Sequence, residues 1–161
     1  MQIIIKSPKE CNETELLNFY NLLQTTGQVS NNNLINRIKN AELLGFSFIE
    51  NNLAGITALK NPKPEYKEKI FLKAGIAELA NKYLYELGYA VTLPEYRNQG
   101  IALKLAEELL KHSNNQNVYA AIKTTNLQPQ NILTQVNFKK IGKPYQSKSE
   151  VFQIFGFEFV S

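Results

Sequence analysis

The first hydrophobic pattern along the chain has helical spacing. Apolar residues recur at intervals of three and four positions and the pattern stops at Gly27. The residues of this stripe are Leu16, Phe19, Tyr20 and Leu23. Asn12 precedes the stripe and Glu15 follows three residues later, a pair that typically forms a capping box at the start of a helix. The pattern therefore predicts a helix that begins at Asn12.

Strand and helix patterns alternate along the rest of the chain. A second helix is predicted from Ser30 to about residue 44, with Leu34, Ile35 and Ile38 facing inward. Further helices are predicted at 66–73, 101–111 and 129–135, and strands at 2–5, 46–50, 53–60, 83–93, 118–123, 138–142 and 151–160, with a tight turn at Asn51-Asn52. Phe159 of the last strand is assigned to the core. No linker or repeat divides the chain, so residues 1–161 are predicted to form one α/β (α+β) domain. Its sheet is mixed, mostly antiparallel and twisted, with about four flanking helices.

The connection between strand 83–93 and helix 101–111 carries the candidate chemistry. A helix start leaves several backbone N–H groups without intrahelical partners, and the helix dipole adds partial positive charge there. Gly100 would let a bound group approach the backbone closely, and Arg97 adds a full positive charge to the same loop. This combination predicts a cradle for a phosphate or pyrophosphate. The alternative is an ordinary strand–loop–helix connection in which both residues serve only the turn.

The spacing Arg97-x-x-Gly100-x-Ala102 resembles the Arg/Gln-x-x-Gly-x-Gly/Ala signature of the GNAT N-acetyltransferase superfamily, which binds the pyrophosphate of acetyl-CoA. Asn126 stands where the family places an Asn at the end of a strand. Asn137-Phe138 replaces the family's Gly-Phe, and Asn substitutes well for Gly where φ is positive. The resemblance implies a GNAT-like fold and an acetyltransferase that uses acetyl-CoA as co-substrate without a metal. It assigns to cofactor binding Val91, Thr92, Leu93, Arg97, Asn98, Gln99, Gly100, Ile101, Ala102, Leu103 and Asn126.

The same resemblance implies catalytic roles on the strand before the loop. It places the N–H of Ala90 opposite the thioester oxygen, where a backbone donor would stabilise developing negative charge. Glu86 occupies the position of the family's glutamate base, and strict alternation would put it on the same face as Ala90. A structural pairing of Glu86 with a Lys or Arg is the alternative. Leu133 stands where many members carry a Tyr that reprotonates the thiolate. Tyr119 and Tyr145 could replace that Tyr only by residue type.

Composition narrows the classes of function. The net charge of +4 is mild, and the lysine-rich segment 60–69 also contains Glu65 and Glu68, which argues against nucleic-acid binding. No apolar run approaches the roughly eighteen residues of a transmembrane helix, and the start lacks signal-peptide features. A single cysteine, Cys11, suits a reducing cytoplasm. Because His112 is distant from it in sequence, a zinc site is not expected.

Three alternatives from other classes stay open. The first is a non-catalytic acyl-CoA-binding or regulatory module, and the second is a transferase for a longer acyl or an aminoacyl group on the same fold. The third is an interaction protein that uses the helix pair 12–44, for which no positive signal exists. The acceptor amine is predicted to contact residues 12–44, 60–82 and 143–150. The sequence is compatible with a small amine, a peptide N-terminus, a protein lysine or an antibiotic as the acceptor. It is also compatible with assembly of the chain into a homodimer.

Overall fold

The computed structural model describes residues 1–160, which contain seven strands and five α-helices. The strands are β1 (Gln2–Lys6), β2 (Leu43–Ile49), β3 (Asn52–Lys60), β4 (Tyr85–Thr92), β5 (Val118–Lys123), β6 (Lys139–Ser147) and β7 (Glu150–Phe157). The helices are α1 (Glu13–Gln24), α2 (Leu34–Lys39), α3 (Pro64–Lys73), α4 (Ile101–Lys111) and α5 (Leu127–Gln135). Short 3₁₀ helices span Pro8–Glu10, Ala77–Lys82 and Pro94–Tyr96. None of the helices in this part of the chain has the length and apolar character that crossing a membrane requires.

The chain forms two compact units. The first contains Met1–Lys60 and Leu87–Ser113, and the second contains Asn61–Glu86 and the chain from Asn114 onward. The first two residues of β4 belong to the second unit and the remainder to the first. Strand order is β1-β2-β3-β4 in the first unit and β4-β5-β7-β6 in the second. The β4–β5 pairing is parallel and limited to those first two residues, whereas β1–β2, β2–β3, β5–β7 and β6–β7 are antiparallel. The predicted mixed, mostly antiparallel fold class is confirmed.

The core of the first unit lies between helices α1 and α2 and one face of the sheet. Phe19 and Phe46 are buried and meet edge to face, with ring centroids 5.7 Å apart. Leu23 and Ile38 pack into the same cluster. Helix α4 packs on the other face, because Leu105 of α4 forms a second buried cluster with residues of the sheet. The sheet of this unit is therefore covered on both faces.

The core of the second unit is aromatic. Phe71 of α3 and Tyr119 of β5 are fully buried, with ring centroids 5.2 Å apart in an edge-to-face arrangement. Ile154 packs into the same cluster. Gly156 of β7 accommodates Tyr83, since a Cβ at Gly156 would lie 2.7 Å from the Tyr83 hydroxyl oxygen. The Tyr83 ring therefore leaves no room for a side chain at position 156 of the sheet.

Several sequence predictions are confirmed at the level of single residues. The capping box forms, because the Glu15 N–H donates to Asn12 Oδ1 at 2.8 Å and the Asn12 N–H donates to Glu15 Oε1 at 2.9 Å. Helix α4 and strand β5 have the predicted bounds. Lys6 adds a hydrogen bond from Nζ to Glu15 Oε2 at 2.7 Å. The start of α1 is thereby tied to β1.

The predicted helix from Ser30 to residue 44 is wrong over most of its length. Helix α2 begins only at Leu34 because Asn33 has a φ of 57°, which right-handed helix cannot include. Residues from Leu43 onward belong to β2, which pairs with β1 on one side and β3 on the other. Ile35 is half-buried rather than buried. Tertiary pairing thus outweighed the helical spacing of the apolar residues.

Other boundaries also differ from the sequence predictions. The β2–β3 turn is centred on Glu50 and Asn51, whose φ values are 50° and 69°, one residue earlier than predicted. A two-residue turn with both φ values positive matches the right-handed twist of the two strands that it joins. The turn therefore forms at Glu50-Asn51 rather than at Asn51-Asn52. Strand β7 ends at Phe157, and Phe159 is 40% exposed, so its assignment to the core is wrong. Helix α5 starts at Leu127, two residues before the predicted start at 129.

We expect the stability gained from Glu15 to depend on pH. The hydrogen bond from Lys6, followed by that from the Asn12 N–H, holds the pKa of Glu15 below its usual range. A carboxyl group with a lowered folded-state pKa stabilises the fold fully above its unfolded pKa, about 4.3. That contribution is lost as the pH falls through the folded value. Glu15→Gln should therefore lower the thermal midpoint at pH 7 and have a smaller effect at pH 3, as followed by circular dichroism.

Glu13→Gln is the matched control, because Glu13 is an exposed carboxylate in the same first turn of α1. It should change the midpoint less than Glu15→Gln at pH 7. Equal losses in both variants would contradict the assignment to the Lys6–Glu15 pair and would indicate a general helix-dipole effect.

Candidate functional site

Strand β4 is distorted at its centre. Tyr89 has a φ of 56°, in the left-handed region that a bulky residue rarely adopts. This distortion lies between Glu86 and Ala90, which were placed on one face by counting alternate residues. The prediction that Glu86 and Ala90 share a face is therefore wrong, because β4 is not uniformly extended between the two positions. Glu86 is 6% exposed, whereas Ala90 is exposed.

In the first unit β4 is the edge strand, so one side of its backbone is open. The Leu93 N–H donates to the Ala54 carbonyl of β3 at 2.9 Å. Backbone groups alternate in direction along a strand, so Val91 also directs its N–H toward β3. Ala90 and Thr92 direct their backbone groups to the open edge. Val91, Thr92 and Leu93 were all predicted to bind the cofactor. Of these three residues, only Thr92 directs its N–H to the open edge, because the N–H groups of Val91 and Leu93 face β3.

The loop after β4 presents backbone and charge to solvent. Residues Arg97–Gly100 are exposed, and Asn98 and Gly100 have φ values of 63° and 77°. The Lys104 N–H donates to the Gly100 carbonyl at 3.0 Å as the helix begins. The N–H groups of Ile101–Leu103 precede that bond and lie at the open end of α4. Open space surrounds Gly100, since a Cβ there would have no heavy atom within 4 Å.

The start of α4 lies against β3 through a glycine that sequence analysis missed. A Cβ at Gly55 would lie 2.8 Å from Ile101 Cγ2 and 3.1 Å from the Val91 carbonyl oxygen. Gly45 of β2 also lies close to the next turn of α4, because a Cβ at Gly45 would lie 3.1 Å from Leu105 Cδ2. These glycines let the helix approach the strand backbones. The signal that could have revealed Gly55 is a glycine inside a predicted strand.

Glu86 lies buried in the second unit together with Tyr119. The Tyr119 hydroxyl donates to Glu86 Oε1 at 3.3 Å. Burial, followed by the negative charge of Glu86, raises the pKa of Tyr119 well above its usual value. Burial and then Glu86 also raise the pKa of Tyr145. Both phenols therefore stay protonated at neutral pH, and their weak acidity makes them poor donors to a departing thiolate.

The residues of the second sequence motif lie in the second unit. Asn126 immediately precedes α5. Asn137 has a φ of 72°, which confirms that Asn occupies a position where glycine would be favoured. The Phe138 N–H donates to the Leu133 carbonyl at 2.9 Å and closes the end of α5. The structure thus places Asn126 and Glu86 in one unit and the other predicted site residues in the other.

Binding of a metal ion or attack by a thiol nucleophile would require suitably placed side chains within residues 1–160. No group of three or more His, Cys, Asp or Glu side chains is arranged there to hold a metal ion. Burial is the main cause that raises the pKa of the Cys11 thiol to about 11. Cys11 therefore stays protonated at neutral pH and is a weak nucleophile.

The comparison with sequence families decides the identity of the chain. Residues 13–138 match the model of the acetyltransferase (GNAT) family, which is most of the sequence. The chain belongs to the GNAT acetyltransferase family. Membership makes it an acyltransferase, in agreement with the resemblance that the loop Arg97–Ala102 carries. No curated protein matches the chain in sequence.

Solved structures show the same fold at low sequence identity. An acyl-CoA N-acyltransferase from Pseudomonas aeruginosa is 13% identical, with a TM-score of 0.70 over 96% of this chain and 97% of that one. The ribosomal-protein-S18-alanine N-acetyltransferase from Escherichia coli is 13% identical, with a TM-score of 0.69 over 99% and 96%. The Salmonella typhimurium protein yncA, solved with its cofactor acetyl-CoA, is 9% identical, with a TM-score of 0.69 over 100% and 96%. These likenesses support the GNAT fold.

One position of this GNAT chain lacks an expected chemical group. Leu133 stands where the resemblance places the Tyr of many family members, and its side chain offers no proton. Leu133 is 4% exposed and belongs to the packed end of α5. Tyr119 and Tyr145 are the two tyrosines that could replace the missing acid by residue type. Both are buried, and their raised pKa values make them poor proton donors.

Gly55→Ala should destabilise this GNAT protein because the new Cβ would overlap Ile101 Cγ2 and the Val91 carbonyl. Overpacking of this kind costs about 1–3 kcal/mol of unfolding free energy. Urea denaturation measures the loss. Ile101→Leu removes the overlapping methyl group, so the double variant should recover part of the stability. Wild-type stability in Gly55→Ala would contradict the close approach of α4 to β3.

Proposed function

We propose that the chain is an acetyl-CoA-dependent N-acetyltransferase that moves an acetyl group to a primary amine. The loop Arg97–Leu103 carries this proposal, because it combines an exposed glycine with positive φ, an arginine and a helix start. These features suit an anionic pyrophosphate. The acetyl-CoA bound to the Salmonella typhimurium protein supports the same co-substrate for this GNAT chain.

The residues present fit acetyl-CoA as the co-substrate. The pyrophosphate would contact the N–H groups of the segment Asn98–Leu103, with Arg97 as counter-charge. Open space at Gly100 admits a phosphate close to the backbone. The pantetheine arm would run along the open edge of β4, where the backbone of Thr92 is directed outward. Pairing with an exposed strand edge needs no particular side chain, which explains why the sequence there is not distinctive.

Ala90 would supply the oxyanion donor. Its N–H is directed to the open edge of β4, and a fixed backbone donor stabilises the charge that develops on a thioester oxygen. The acceptor nitrogen attacks the carbonyl carbon and the C–S bond breaks, so CoA departs as a thiolate. Removal of such a donor in other enzymes costs about 2.7–4 kcal/mol in the transition state.

Glu86 would accept the proton that the acceptor nitrogen releases, directly or through water. Its burial and its hydrogen bond from Tyr119 hold the carboxylate in one place. With Leu133 in place of a tyrosine, water would protonate the departing thiolate. The reaction then needs one side-chain base and no side-chain acid.

A non-catalytic acyl-CoA-binding module is the second candidate function. The observation that favours it is the absence of a hydroxyl group at Leu133. Release of CoA thiol in the presence of a panel of amines separates the two functions, because a binding module would bind acetyl-CoA without turnover.

The acceptor would contact residues 12–44, 60–82 and 143–150. We place the reaction in the cytoplasm, where the single thiol of Cys11 would remain reduced.

Gly100→Val should abolish measurable binding of acetyl-CoA in isothermal titration calorimetry. A β-branched residue is strained at a φ of 77° and its methyl groups would occupy the space that the phosphate needs. Gly27→Val is the matched control, because Gly27 also has positive φ, 63°, and open space at its Cβ. That control should share the backbone strain and keep the affinity. Unchanged affinity in a folded Gly100→Val protein would refute the assignment of the cradle.

Glu86→Gln should lower turnover by about 10²-fold or more while the affinity for acetyl-CoA stays nearly constant, because the amide keeps the shape but cannot accept the proton. Steady-state rates from pH 6 to 9 measure the effect. Tyr119→Phe provides the control, since it removes the hydroxyl that contacts Glu86 and leaves the carboxylate in place. Turnover should fall much less in Tyr119→Phe than in Glu86→Gln. Wild-type rates in Glu86→Gln at every pH would assign Glu86 to a structural role.

A further inference from the structure

The left-handed conformation of Tyr89 needs an explanation beyond its own residue type. A non-glycine residue in this region costs on the order of 1–3 kcal/mol, and the conformation persists only where the surroundings enforce it. Tyr89 is neither a turn residue nor a strand end, since β4 continues through Thr92. The ring of Tyr89 contacts Lys60 and Phe19.

Lys60, the last residue of β3, crosses β4 at this point. Its Nζ lies 4.3 Å from the centroid of the Tyr89 ring, within the range of a cation–π contact. Its aliphatic stem passes over Gly88, where a Cβ would lie only 3.0 Å from Lys60 Cδ. The glycine before Tyr89 thus leaves room for the lysine stem, and the stem delivers the ammonium group to the ring.

Phe19 contacts the Tyr89 ring from the core of the first unit. The two ring centroids are 6.5 Å apart and the rings meet edge to face. Phe19 is fully buried and also packs on Phe46, so its position is fixed by α1 and β2. The Tyr89 ring therefore has a rigid aromatic contact and a cationic contact, which together restrict its position. We name Lys60, Gly88, Tyr89 and Phe19 the ring clamp.

We propose that the ring clamp, through Lys60, holds the left-handed backbone of Tyr89 and so aims the following N–H, that of Ala90, at the reacting carbonyl. This inference rests on the proposed acetyl transfer. Rotation of the Tyr89 backbone toward extended geometry would redirect the next peptide group, because the Ala90 N–H belongs to the peptide plane that Tyr89 begins. Lys60 is thus a positioning residue. It need not touch the acetyl group.

Lys60→Met tests the clamp because it keeps an apolar stem and removes the charge. We expect kcat to fall about 5- to 30-fold, the span of a partly desolvated cation–π contact, with the KM for acetyl-CoA changed less than about twofold. Lys60→Arg keeps a cation over the ring and should restore most of kcat. Lys9→Met removes one exposed positive charge elsewhere and should leave kcat unchanged. A full rate in Lys60→Met, or no rescue by arginine, would overturn the proposal.

A double-mutant cycle with Tyr89→Leu separates positioning from a direct effect of the charge. If Lys60 acts through the ring, Lys60→Met should lower kcat less than about twofold in the Tyr89→Leu background. Additive losses would overturn the clamp and assign Lys60 a direct electrostatic role. The cycle needs only folded variants, which circular dichroism checks.

The conformation of Tyr89 is measurable without any substrate. The three-bond coupling between its amide and α protons, together with its backbone chemical shifts, reports φ by NMR. Lys60→Met should move these values toward extended geometry and Lys60→Arg should not. Unchanged values in Lys60→Met would overturn the clamp. A wild-type protein that neither binds nor turns over acetyl-CoA would instead overturn the proposed function, and the NMR result would still decide the clamp.

Discussion

The close packing of α4 against β2 and β3 is the constraint on which the first unit depends. The proposed cradle requires the start of α4 to lie close to the end of β4. Gly45 and Gly55 bring it there, because side chains at these positions would collide with Leu105 and Ile101. Residues 93–100 then connect the strand to the helix. The helix dipole and the charge of Arg97 thereby meet in one short loop.

The strain at Tyr89 shows how the same unit controls backbone direction. A regular strand would point alternate N–H groups into the sheet, as Leu93 does toward Ala54. A left-handed residue changes that direction locally, at a cost that packing with Phe19 and the ammonium group of Lys60 offsets. The backbone geometry at Tyr89 is therefore a property of tertiary contacts, since the residue type of Tyr89 by itself disfavours it.

The second unit provides a buried environment for a carboxylate. Glu86 and Tyr119 share a hydrogen bond among aromatic residues, where water competes little. The same burial makes the phenols of Tyr119 and Tyr145 weak acids. One environment therefore holds the carboxylate that we propose as the base and disfavours the two tyrosines as acids. With Leu133 also apolar, this GNAT chain relies on the backbone and on a single carboxylate for its proposed chemistry.

Local sequence determined the features that depend on neighbouring residues. The capping box of Asn12 and Glu15 and the bounds of α4 followed from residue type and spacing, because helix starts are short-range problems. The positive φ of Asn137 followed from the resemblance to the family's Gly-Phe motif. Tertiary structure decided what needs partners distant in sequence. Pairing with β1 and β3 made a strand of the segment that begins at Leu43, and packing around a distant lysine and phenylalanine bent β4 at Tyr89. The spacing of apolar residues in the sequence indicates which side chains are buried, but it does not indicate which strand or helix packs against them.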